Sequence, residues 1–398
     1  MSQPLRAADV SDLARGIITL DTVQRLNAAQ LAKHQLLLEI VRRRAAGTEA
    51  EPTLGRTVEL LAEAQSRHSP VVNEWLALPQ IGSWAISSLE RMRRDERPDV
   101  DYLVKLATVV AFRTGGKEDL PADETDHRLF PGLGVLDGTR WTPIPHLRVC
   151  VDDLWLSMNL DAADPYLGMY GRRTRPDPRL WRDRLTEAWR ILVHRHRPTA
   201  RTLAAGVTTL VPLAEPASGP PLSATSGWAY GAVATSLPSD PLVLAEVLIH
   251  EFRHLTLGAV EDLATLTWSD DKRLWYAPWR DDPRPLSALL QGCYAFLAVT
   301  EFWRTERNLG PPEHSRRAEA AFARWRRATF EAAKTLSGAD GLTTTGRTFA
   351  AGIRERLGPW MSEKVSTSAE RYADRVYEEH RARWDRANTG VSRASARR

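Results

Sequence analysis

At 398 residues the chain exceeds the usual size of one compact domain, and its 43% hydrophobic and 26% charged residues are those of an ordinary globular protein. A formal charge of +4, from 54 Lys+Arg against 50 Asp+Glu, does not point to nucleic acid, and two cysteines, Cys150 and Cys293, exclude a disulfide framework and a cysteine metal cluster. Met1 to Asp9 lacks a basic region followed by an apolar core, and no uninterrupted apolar run approaches the roughly 20 residues that span a bilayer. A cytoplasmic protein, neither exported by a signal peptide nor inserted in a membrane, is therefore expected.

Apolar spacing predicts helices over 21–46, closing on Gly47, over 54–68, stopped before Ser69-Pro70, and over Val71–Leu78. The segment Pro79–Trp84 breaks the pattern, which resumes over 84–94 and 99–113, so 1–116 reads as a helical subdomain. From 117 to 238 the texture is mixed: strand-like runs at 146–151, 207–213 and 228–235 surround a helix at 176–195 that carries His194 and His196. A third region, 239–388, is helical. Its first helix opens at Ser239-Asp240-Pro241, where a short polar side chain can cap exposed amides and proline suits the first helical position, and Gly258 offers a stop. Helices at 286–308, 312–336, 343–357 and 361–387 follow, and the basic, Ser-rich tail of 389–398 is expected to be disordered. The fold class is thus mainly α with a smaller mixed α/β region.

The chemistry concentrates in Leu248-Ile249-His250-Glu251-Phe252-Arg253-His254, an H-E-x-x-H motif inside an apolar helix. The i, i+4 spacing puts two imidazoles on one face, where neutral ring nitrogens suit zinc or iron. Glu251 is placed to act as a base toward a metal-bound water or to make a contact behind the ligands. A catalytic centre needs a third protein ligand. Candidates are Gln291 and Glu301 on the next long helix, and Asp270 or Asp271 in the loop before it. That loop also carries Trp268, Trp275 and Trp279, which either line a peptide groove or pack in the interior.

Several stretches resemble the HExxH-domain family of actinobacterial peptide-modification clusters: Leu26–His34, Leu78–Trp84, the motif helix Leu248–Leu257, Tyr276–Leu286 and Gln291–Phe296. The resemblance spans most of the chain. It implies a tailoring enzyme that hydroxylates a β-carbon of a ribosomally made precursor peptide, using Fe(II) and 2-oxoglutarate, with a radical-SAM maturase as a partner and the metal on a zincin-like helix pair. It carries His250 and His254 over as iron ligands and Glu251 as a site residue. Where relatives place a histidine on the helix after the Arg-Pro segment, the corresponding positions here are Gln291 and Phe296, and Gln291 is a candidate neutral oxygen ligand. A 2-oxoglutarate enzyme must also hold the distal carboxylate with a cation, for which Arg280 and Arg284 are the candidates; the competing reading is a surface ion pair with Asp281 or Asp282. Two rival functions remain open: a zinc metallopeptidase with Glu251 as general base, and a non-catalytic peptide-binding partner of a maturase.

Overall fold

The computed structural model describes residues 5–115 and 127–389. The tail expected at Val391–Arg398 and the first residues of the mixed region, 117–126, lie outside them. Mainly helical, the described chain runs through α1 (Ala7–Ala14), α2 (Leu20–Arg44), α3 (Glu51–Leu76), α4 (Pro79–Met92) and α5 (Val100–Arg113). Five strands follow, β1 (His127–Phe130), β2 (Gly134–Asp137), β3 (Arg140–Pro143), β4 (His146–Val151) and β5 (Leu154–Leu160). Next come α6 (Pro178–Arg195), α7 (Arg197–Gly206), β6 (Thr209–Pro212), β7 (Ser223–Ala224) and β8 (Ala232–Thr235). The C-terminal part holds α8 (Pro241–Glu261), β9 (Leu274–Trp275), β10 (Arg284–Pro285), α9 (Leu286–Leu309), α10 (Ser315–Ser337), α11 (Thr344–Met361) and α12 (Thr367–Ala387).

These elements fall into two compact units. The first takes Gln24–Glu187 and Ala204–Pro241. Its helical core joins Leu54 and Leu61 of α3, Ile81 and Trp84 of α4, Leu103, Leu106 and Val110 of α5, and Phe130 of β1. Within α3 the backbone kinks at His68 (φ −145°, ψ 69°), two residues before Pro70, where the sequence signals a break. At Pro79 the structure differs from the sequence pattern: the proline opens α4 rather than interrupting it. Residues Pro79 to Ala85 are all buried, so no polar face marks the helix, while a proline in the first turn loses no intrahelical hydrogen bond. Short strands β1, β2 and β3 form an antiparallel meander, and a mixed sheet in the order β4-β5-β6-β8-β7 pairs β5, β6 and β8 in parallel.

The second unit takes Gln3–Val23, Ala188–Leu203 and Leu242–Arg398. Here α10 packs against α9, α11 and α12. Alanines at 323, 369 and 373 let α10 and α12 approach closely. Gly352 does the same for α1 and α11, since a Cβ there would stand 2.6 Å from the Ala14 carbonyl carbon. Among the described residues one helix, α9, has a stretch long and apolar enough to cross a membrane, but 72% of that stretch is buried inside the protein, as in a core helix. At the end of α6, Arg195 and His196 both hydrogen-bond Glu306 Oε1 at 2.8 Å, so His196 is tied to a buried carboxylate rather than left at a helix terminus.

Candidate metal centre

The motif helix α8 starts at Pro241, as its sequence predicts, but passes through Gly258 and ends at Glu261. Leu244, Leu248, Phe252 and Leu255 anchor it in the interior. This fixes the azimuth of the histidines. His250 and His254 are both half-buried, with ring centroids 4.8 Å apart, an interplanar angle of 78° and Nε2 atoms 3.2 Å apart. Glu251, about 100° around the helix from His250, is only 3% exposed.

Gln291 on α9 sits behind His254. Its Oε1 lies 3.2 Å from His254 Nδ1, and its Nε2 donates to Glu261 Oε2 at 2.6 Å. An amide oxygen accepts only, so Nδ1 donates to Gln291 and Nε2 is the nitrogen that faces His250. Burial, and then the neighbouring His254, hold the His250 pKa well below the usual imidazole range, which keeps this ring neutral. The Glu261 carboxyl is pushed up by burial, with the Gln291 hydrogen bond working the other way.

An aromatic wall flanks the pair. Phe296 meets the His250 ring at 4.8 Å and packs against Trp279, at 4.6 Å, and Trp325, stacked at 4.3 Å. The indole of Trp279 rests on α9 where Gly292 leaves room, since a Cβ there would stand 2.6 Å from its Nε1. Of the other loop tryptophans, Trp268 is exposed and Trp275 lies under the Arg273 guanidinium. Neither Trp325 nor Glu261 stands out in the sequence, for each acquires its meaning only from a partner far along the chain.

The remaining candidates are placed elsewhere. Arg280 and Arg284 both bind Asp282, each at 2.9 Å, which is the ion-pair reading of those residues. Partial burial of Asp282 works upward on its pKa, but the hydrogen bonds from Arg284 and Arg280 outweigh it and hold the carboxyl low. Glu301 pairs with Arg356, Asp271 with Arg273, and Asp270 is exposed. His146, in the first unit, bonds Asn159 and Ser157.

The two convergent imidazoles fit a borderline metal as nitrogen donors. Among the described residues no group of three or more His, Cys, Asp and Glu side chains is placed to hold an ion, and the Gln291 oxygen, expected as a ligand, is turned to His254 Nδ1 rather than to the Nε2 atoms. Compared with protein-family models and with curated proteins, the chain matches none.

Proposed function

We propose that this protein is an Fe(II)- and 2-oxoglutarate-dependent hydroxylase acting on a β-carbon of a ribosomally made precursor peptide. The observation that carries the reading is the convergence of His250 Nε2 and His254 Nε2 at 3.2 Å in a half-open position beside an aromatic wall. Iron held there would supply the oxidative chemistry, with O2 and 2-oxoglutarate as co-substrates. His250 and His254 hold the ion, and the Gln291–Glu261 pair orients His254 and keeps its proton on Nδ1. Phe296, Trp279 and Trp325 exclude water from one side and offer flat apolar surface to an extended peptide. Glu251 is buried in the helix's packed side, which favours a supporting role over the water-activating role a zinc peptidase would require. A radical-SAM maturase acting on the same peptide in the cytoplasm completes the proposal.

Anaerobic reconstitution with Fe(II), followed by 2-oxoglutarate, O2 and the precursor peptide, should give a product heavier by one oxygen atom. Peptide cleavage would overturn the reading. The position of Gln291, whose two amide atoms are committed to His254 and Glu261, favours one second reading, a metal-free peptide-binding partner. It predicts peptide affinity unchanged by chelators and no oxygenated product.

A further inference from the structure

The mixed sheet of the first unit ends on two unlike edges: β7, with two residues, on one side and β4, with six, on the other. The β4–β5 register runs one to one from His146↔Asn159 to Val151↔Leu154. Just before it, the Leu160 amide donates to the Pro145 carbonyl at 2.8 Å, which makes these two residues a hydrogen-bonded pair. Such pairs alternate along an antiparallel ladder, so Leu147, Val149 and Val151 bond β5, whereas the amides and carbonyls of His146, Arg148 and Cys150 point away from it. No described residue hydrogen-bonds these outward groups. The side chains of the same three residues are exposed, and those of Leu147, Val149 and Val151 are buried. Protected edges carry a lysine, a proline or a bulge, or are very short, and β4 has none of these features.

We propose that β4 is the docking edge for an extended, acidic segment of the precursor peptide, which adds to this sheet as a sixth strand. Backbone donors and acceptors that repeat every second residue are matched by an extended chain, whose own amides and carbonyls have the same period. The exposed face of the β4–β5 hairpin sets the charge of the partner. There the Arg148 guanidinium lies over the Trp155 ring, 4.8 Å from its centroid, and no carboxylate pairs with it among the described residues. His146, beside it, is already committed across the hairpin, Nδ1 to Asn159 Oδ1 at 2.8 Å and Nε2 to Ser157 Oγ at 2.7 Å. A peptide residue opposite Arg148 projects on this same face, with its Cβ about 4.5–5.5 Å away, so an acidic residue at that position meets the guanidinium. A second copy of the chain fits less well. The antiparallel register that uses all three outward residues of both copies sets the two Arg148 side chains directly opposite each other, and like charges there are destabilising. That the added strand belongs to a precursor peptide rests on the function proposed above; strand addition to β4 with a preference for acidic sequence does not.

The test uses the full chain and two fluorescein-labelled peptides, Thr-Val-Glu-Val-Thr and its counterpart with Lys in place of Glu, read by fluorescence anisotropy. The wild type should bind the Glu peptide more tightly than the Lys peptide, by roughly fivefold. N-methylation of the Glu amide, which faces the edge, should abolish binding, whereas N-methylation of either Val amide, which faces away, should leave it intact. Cys150→Pro removes an amide that points away from β5, so the unfolding midpoint should stay at the wild-type value while peptide binding weakens by roughly tenfold. Arg148→Glu changes no backbone group and should reverse the preference between the two peptides, which keeps the test decisive if Cys150→Pro fails to fold. A wild type that binds the Glu peptide no better than the Lys peptide would overturn the proposal, and so would binding that survives methylation of the Glu amide. A dimer seen by sedimentation that Cys150→Pro dissolves would also overturn it, by assigning the edge to a second copy. Edge-dependent binding of the Glu peptide without hydroxylation of the precursor would sink only the hydroxylase reading. Hydroxylation with an unaltered precursor KM in Cys150→Pro would sink only this one.

Discussion

His254 Nδ1 and Gln291 Oε1 lie 3.2 Å apart, and this contact decides which nitrogen of His254 faces His250. A residue in the position of an expected ligand thereby becomes the group that orients one. Gln291→Ala removes the acceptor and frees both the ring and its tautomer, and losses of this kind cost about 10–100-fold in metal affinity. Gln291→Asn shortens the side chain by one methylene, draws the acceptor away from Nδ1 and is expected to give an intermediate loss. Competition with a chromophoric chelator measures both, and equal affinities across wild type and the two variants would show that Gln291 has no part in the centre.

The motif helix was legible because each of its signals is local: a proline at the start, an apolar run, and two histidines at i, i+4. The kink near Pro70 and the helices after 286 are legible for the same reason. What surrounds the histidines was not. Gln291 is 37 residues from His254 and 30 from Glu261, and only the packing of α8 and α9 joins them. Arg253 lies inside the motif, yet nothing local in the sequence marks it as buried. Strands β2 and β3 lack strict alternation of buried and exposed residues, so period-2 patterning passes over them. The helix α7 runs through the segment before 207–213 without a polar stop after His196, where helical structure resumes at once.

Gly292→Ala tests the seat of Trp279. A Cβ at 292 would approach the indole Nε1 and Cζ2 to 2.6 and 2.7 Å, so the ring must move, and with it the face it offers to Phe296. Overpacking of this kind costs about 1–3 kcal/mol. Urea unfolding should show that loss together with altered tryptophan fluorescence. An unchanged midpoint and spectrum would mean that the indole does not rest on α9.

In the first unit, Asp164 accepts from the Tyr102 hydroxyl at 2.7 Å and from the Tyr166 amide at 2.9 Å. Burial, and then the nearby Asp161 carboxylate, push its pKa up to about 7. A carboxyl whose folded pKa is raised binds its proton more tightly in the native state, so its contribution to stability is present at acid pH. That contribution is lost as pH rises from the ordinary aspartate range, near about 4, toward about 7. Asp164→Asn holds the site neutral throughout. The variant should gain stability relative to wild type at pH 8 and lose that advantage at pH 5, as read by urea unfolding at both values. A difference between the two proteins that does not change with pH would contradict the raised pKa.

Trp325 provides the sharpest test of the aromatic wall as a peptide surface. It is half-buried on α10, stacked on Phe296 at an interplanar angle of 27°, with the Arg324 guanidinium 4.3 Å from its ring centroid. Because Phe296 in turn lies against His250, a peptide side chain laid on Trp325 would be carried next to the metal position. Trp325→Ala removes a large, stiff apolar surface of the kind that dominates binding interfaces, and a loss of about 10–30-fold in precursor-peptide affinity is expected. The histidine pair is untouched by this change, so metal affinity should stay at the wild-type value. Fluorescence anisotropy with a labelled precursor peptide and the chelator competition used for Gln291 separate the two effects. Loss of metal affinity with peptide binding intact would make Trp325 a packing residue of the centre, whereas the reverse outcome places the peptide on this wall.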